Sequence, residues 1–177
     1  DVSKNKEGAY TGQISSKLLN KIDAGCLIGH SELREESDTN EIVHLKGIRL
    51  KEEKVSPVLL CVGESLNILE ANKREDFIRE QLDSYFKDGL FPDIIAYEPL
   101  WAIGTGVSAD KRNIEDAMSI ISKFLEENDH KNLPILYGGS VSSKNIEEIL
   151  SITSVSGCLV GNSSLDGKEF ARIAKKF

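Results

Sequence analysis

DIIAYEPLWAIGTG, residues 93–106, decides the fold class, because a buried strand and a loop meet inside it. After Asp93 the segment is continuously apolar to Tyr97, without the alternation of a half-exposed strand, as in a parallel sheet covered on both faces. A carboxylate, Glu98, stands at the strand end. Pro99, the apolar Leu100, Trp101, Ala102 and Ile103, and the turn-forming Gly104, Thr105 and Gly106 follow. Residues 110–127 then place Ile114, Ala117, Met118, Ile121 and Leu125 at helical spacing. Strand, loop and amphipathic helix in that order make one βα unit.

The same unit recurs along the chain. Strands are expected at 25–29 (GCLIG), 57–62 (PVLLCV), 93–97 (DIIAY), 133–137 (LPILY) and 155–160 (VSGCLV). Helices are expected at 15–22, 39–51, 73–87, 110–127, 143–150 and 168–176, the last capped by Asp166 with Glu169 three residues on. No linker or low-complexity tract divides the chain, so residues 1–177 read as a single α/β domain: one helix, then five strand-helix units. That order fits a doubly wound open sheet or part of a (β/α)8 barrel. A barrel needs about eight strands and about 250 residues, so as a barrel this chain lacks its first three βα units.

Net charge is −7, and no Lys or Arg cluster forms a basic stripe, which argues against nucleic acid and anionic membranes as partners. Cys26, Cys61 and Cys158 are odd in number, far apart and set in apolar runs, as free thiols of a reducing compartment are; cytoplasm is the expected location. No apolar run reaches the length of a membrane span, and the opening DVSKNKEG is too polar for a signal sequence. Asp1 rather than Met begins the chain, so a segment of a longer polypeptide is expected.

In either architecture the chemistry gathers where strands end and helices begin. Gly138, Gly139 and Ser140 after one strand, and Gly161, Asn162, Ser163 and Ser164 after the next, are two turns whose amides suit a phosphate or carboxylate; a plain turn with a Ser cap is the alternative. His30 is a structural histidine or an electrophile, and Glu98 a buried ion-pair member or a base. Together they have the chemistry to move a proton beside a carbonyl if water is excluded. Residues 99–106 have the parts of a lid, or else pack Trp101 into the core. No second His or acid stands at metal-ligand spacing, and His44 and His130 read as helix-surface residues.

GAYTG, IGHSELR, PVLLCVGES, IAYEPLWAIGTG, ILYGGSV and GCLVGNSSL resemble, in order and spacing, the blocks of the triosephosphate isomerase family across residues 1–177. The resemblance implies a TIM (β/α)8 barrel, here five parallel strands with helices, and cofactor-free, metal-free interconversion of dihydroxyacetone phosphate and D-glyceraldehyde 3-phosphate. Glu98 matches the base, His30 the electrophile and Glu32 an acid near the site; the family is itself the standard example of such a base beside an imidazole kept neutral by a helix N-terminus. Gly104, Ser140, Gly161 and Asn162 match phosphate-binding positions, and Cys61 and Glu64 match a strand-end pair supporting the base.

Thr11 in GAYTG matches a loop that reaches a second subunit, which implies a homodimer. Leu33 stands where the family has arginine, Gln13 where it has glutamate and Asn162 where it often has glycine. The family's first three strands, with an asparagine and the essential lysine, fall before Asp1. A non-catalytic shortened relative or fragment that keeps a phosphate scaffold is the alternative reading.

Overall fold

The structure, a computed structural model, describes residues 1–102 and 109–177. Five strands form one sheet in sequence order: β1 (Cys26–Ile28), β2 (Val58–Val62), β3 (Ile94–Tyr97), β4 (Ile135–Tyr137) and β5 (Gly157–Cys158). Among the described residues the helices are α1 (Ser16–Lys21), α2 (Ser31–Glu36), α3 (Asn40–Glu52), α4 (Leu66–Glu70), α5 (Arg74–Tyr85), α6 (Lys111–Glu127), α7 (Ile146–Leu150) and α8 (Gly167–Ala174). All five expected strands are present. The last is shorter than residues 155–160, with only Gly157 and Cys158 in the ladder.

Two of these helices, α2 and α4, carry no readable apolar period, which is why the sequence does not announce them. In α2 only Ser31 is buried, and α4 buries none of its residues. A helix without an inward stripe has no 3.6-residue signal to detect.

The chain divides into two compact units, residues 1–62 with 80–95, and residues 63–79 with 96–177. In the first unit β1 pairs in parallel with β2, Cys26 opposite Val58. Asp93 fixes the start of β3 there: its amide donates to the Val58 carbonyl at 2.9 Å, and its carboxylate accepts the Val58 amide at 2.6 Å. The helix α3 begins at a Thr39 cap, whose hydroxyl accepts from the Ile42 amide, and turns Val43, Lys46, Gly47 and Leu50 inward. Lys46 is an unusual core residue. It is tolerated because its ammonium lies 2.6 Å from Asp38 and 2.8 Å from Asp1, in the paired state that a buried charge requires. His44 departs from the surface placement expected for it. Its side chain is 12 % exposed, with Nδ1 at 3.2 Å from the Tyr85 carbonyl and Nε2 at 3.5 Å from Asp88.

In the second unit the Gly138 amide donates to the Tyr97 carbonyl, and β4 pairs in parallel with β5, Leu136 opposite Gly157 and Tyr137 opposite Cys158. The stripe expected of α6 is buried in full, and Phe124 joins it. Asp110 caps this helix by accepting the Asn113 amide at 2.7 Å, a contact worth about 1 kcal/mol. Asp166 caps α8 as expected, but the Glu169 carboxylate turns instead to the amide and hydroxyl of Ser143, at 2.7 and 3.0 Å. An anionic acceptor thus fills the turn ahead of α7, which starts at Ile146 rather than at residue 143.

Candidate active site

Among the described residues, Glu98, His30, Ser140, Gly161 and Asn162 sit just past strand ends, Glu32 lies in α2, and Thr11 precedes β1. Glu98 directly follows β3 and is 2 % exposed, an expensive place for a carboxylate. The backbone around it is crowded. A Cβ added at Gly63, just after β2, would lie 2.6 Å from the Glu98 carbonyl carbon and nearer still to its oxygen, and one at Gly138 would lie 3.0 Å from Glu98 Cγ. Glycine at both positions lets those segments close on Glu98, one against its backbone and the other against its side chain.

The residues on either side of Glu98 are held by one other acid. Glu64 is fully buried, and its Oε1 accepts from Tyr97 Oη at 3.0 Å, Trp101 Nε1 at 3.2 Å and Arg74 Nε at 3.0 Å. Its backbone carbonyl accepts the Leu100 amide at 3.1 Å. Burial, reinforced by the Glu64 charge, drives the Tyr97 phenol far above its ordinary range, so it donates and stays neutral.

Of the expected lid, Pro99 and Ala102 are buried, and Leu100, Trp101 and Ala102 form a short 3-10 turn closed by the Ala102 amide on the Pro99 carbonyl. Trp101 is half-buried, with its indole N–H on Glu64. Ile103, Gly104, Thr105 and Gly106 lie outside the described residues.

His30 follows β1 in the first unit and is the N-cap of α2. Its Nδ1 accepts the Glu32 amide at 3.4 Å, while the Glu32 carboxylate is farther, at 3.9 Å, and mostly exposed. With Nδ1 as that acceptor, the neutral ring carries its N–H at Nε2. Cys61 is buried in the same unit, and its carbonyl accepts from Arg34 Nη2 at 3.2 Å. Glu64, the other member of the strand-end pair, belongs to the second unit and accepts from Arg74, Tyr97 and Trp101.

The two glycine-rich turns belong to the second unit and are stitched together by Ser163 Oγ, which donates to the Val141 carbonyl at 2.6 Å. Ser140 Oγ donates to the Ala102 carbonyl at 2.6 Å, a tie to the loop after Glu98 that sequence alone does not reveal. Gly161 and Asn162 are exposed at the head of a 3-10 turn, Asn162–Ser164. Thr11 is exposed in the first unit, which also exposes the apolar Tyr10, Ile14, Leu18 and Ile22 at 44 to 65 %. Gln13 accepts from Ser3 Oγ, and Gln13 and Leu33 line one cavity of about 550 Å3. Among the described residues no group of three or more His, Cys, Asp or Glu side chains is placed to hold a metal, and no helix is long and apolar enough to cross a membrane.

The profile of a family described as triosephosphate isomerase matches residues 1–177. A triosephosphate isomerase of Corynebacterium efficiens is 40% identical over 98% of this chain and 70% of its own length; one of Thermus thermophilus is 40% identical over 99% and 74%. The crystal structure of triosephosphate isomerase from Bartonella henselae superposes with a TM-score of 0.89 at 31% identity, covering 99% of this chain and 73% of that one. The chain therefore spans about 70% of the length of these relatives, and its five-stranded sheet fits a TIM barrel short of full length.

Proposed function

The chain belongs to the triosephosphate isomerase family, and from that premise we propose that it serves the interconversion of dihydroxyacetone phosphate and D-glyceraldehyde 3-phosphate through an enediolate. Glu98 takes a proton from one carbon of the bound triose and returns it to the neighbouring carbon. His30 donates from Nε2 to the carbonyl oxygen as negative charge develops there, and Glu32 stands beside it. Gly104, Ser140, Gly161 and Asn162 hold the phosphate, and Pro99 to Gly106 exclude water while the enediolate exists. Neither a cofactor nor a metal takes part.

The observation that carries this reading is Glu98 itself: an almost fully buried carboxylate at a strand end, with Tyr97 and Trp101 on either side pinned to one acceptor. A carboxylate placed here, away from water, is positioned to exchange a proton with a bound substrate rather than with solvent. The exposed apolar Tyr10, Ile14, Leu18 and Ile22, near Thr11 in sequence, support a homodimer. A reducing location such as the cytoplasm is in keeping with three free thiols.

A coupled isomerase assay on parent and Glu98→Gln tests the proposal. It is run on the chain alone and on the chain joined to the N-terminal segment of a relative, because the lysine that the resemblance places before Asp1 is the main counter-charge of a dianionic substrate. Turnover in the joined form, abolished by Glu98→Gln, is the expected result. Equal turnover with glutamine at 98 would remove this residue from the role of base.

A further inference from the structure

We propose that Arg74, anchored on Asn113, is the positioning residue that fixes the Glu64 carboxylate and through it the orientation of Trp101 in the turn just after Glu98. The proposal rests on the reading that Glu98 and its loop carry the chemistry, and it adds a residue that no sequence motif marks.

Arg74 is the first residue of α5 and 8 % exposed. Its guanidinium spends its nitrogens in two directions. Nε donates to Glu64 Oε1 at 3.0 Å, while Nη1 and Nη2 donate to the backbone and side-chain oxygens of Asn113 at 3.2 and 2.9 Å. Asn113 is itself fixed, since its amide is the one held by the Asp110 cap. One planar side chain therefore joins the acid that grips residues 97 and 101 to the first turn of the helix that follows the loop.

The geometry at Glu64 gives this joint its purpose. Three donors converge on Oε1, and Oε2 is buried with no hydrogen-bond partner among the described residues. A carboxylate turns easily about its last torsion, where the energy wells are broad. Among the described residues no hydrogen bond on the Oε2 side opposes that turn, so the direction from which Arg74 approaches sets the plane of the group. Asn113 sets that direction in turn. Lysine would carry the charge but, as a single point donor, would not reach Glu64 and the two oxygens of Asn113 together.

Trp101 is the chain's sole tryptophan, so intrinsic fluorescence reads this joint directly. The experiment measures the emission maximum and acrylamide quenching of the whole chain for the parent, Arg74→Lys, Asn113→Ala and Asn113→Asp, with far-ultraviolet circular dichroism confirming folded samples. Arg74→Lys and Asn113→Ala are expected to shift emission to the red and raise the quenching constant. Asn113→Asp, which keeps the side-chain acceptor, is expected to return both to the parent values. Lowered melting temperatures with unchanged Trp101 emission and quenching would overturn the proposal and leave Arg74 a counter-charge only. Turnover plays no part in the readout, so a missing isomerase activity and an unmoved Trp101 are separate failures.

Discussion

Adding one methyl group at Gly63 strains the candidate site from within its backbone. The Cβ of Gly63→Ala would sit 2.6 Å from the Glu98 carbonyl carbon, with the carbonyl oxygen nearer and Cα at 3.2 Å. All three obstructing atoms are backbone, so no rotamer change relieves them and one of the two segments must move. Overpacking of this kind costs about 1–3 kcal/mol, and a backbone obstacle puts this case near the top of that range, at about 3 kcal/mol. For a domain of this length each kcal/mol lowers the melting temperature by about 2–4 °C, so a fall of about 6–12 °C is expected. Gly167→Ala is the control, since an added Cβ there meets nothing within 4 Å. Thermal melts of parent and both variants are the assay. In the chain joined to the N-terminal segment of a relative, displacement of Glu98 by about 1 Å should also lower turnover by about 100-fold. A Gly63→Ala protein that melts with the parent would show that the two strand ends are not in the contact described here.

Further outcomes are expected. Arg74→Ala leaves the fully buried Glu64 carboxylate without its cation, and denaturant unfolding should show a loss of about 3–5 kcal/mol. The Ser143 amide and hydroxyl hold the Glu169 carboxyl below its ordinary value of 4.5. A depressed carboxyl stabilises the fold above that value and ceases to as pH falls through the lowered one, so the advantage of parent over Glu169→Gln in melting temperature should shrink below pH 4.5; a gap that widens on acidification would contradict the assignment. Leu33 and Gln13 line one cavity, so Leu33→Arg and Gln13→Glu together should strengthen self-association more than the sum of the single changes. Additivity in a double-mutant cycle by sedimentation would refute that coupling.

The strands and the long helices were legible because burial leaves marks in the sequence. A strand covered on both faces reads as an unbroken apolar run, as 93–97 does, and α6 shows its stripe because one face alone packs inward. The short polar α2 and α4 leave no such mark. At the site, Glu98 and His30 stood out as polar residues at apolar strand ends. The acid that governs the surroundings of Glu98 reads in sequence as one more polar residue at a strand end, Gly63-Glu64-Ser65, and as part of a resembling block. Its partners at 74, 97 and 101, and Asn113 behind Arg74, are distant in sequence, and hydrogen bonds between distant side chains impose no periodicity. The same holds for Lys46, which reads as one more surface lysine of a helix until Asp38 and Asp1 are seen against it.

The central claim, that Glu98 is the base of an isomerase, is tested most directly by the kcat of Glu98→Asp in a coupled assay on the joined chain. Shortening the side chain by one carbon withdraws the carboxylate from the reacting carbon while leaving the binding groups in place. The account predicts a fall in kcat of about 10²–10⁴-fold, the usual worth of a positioned base, with KM little changed. A Glu98→Asp enzyme that keeps the parent kcat would contradict it.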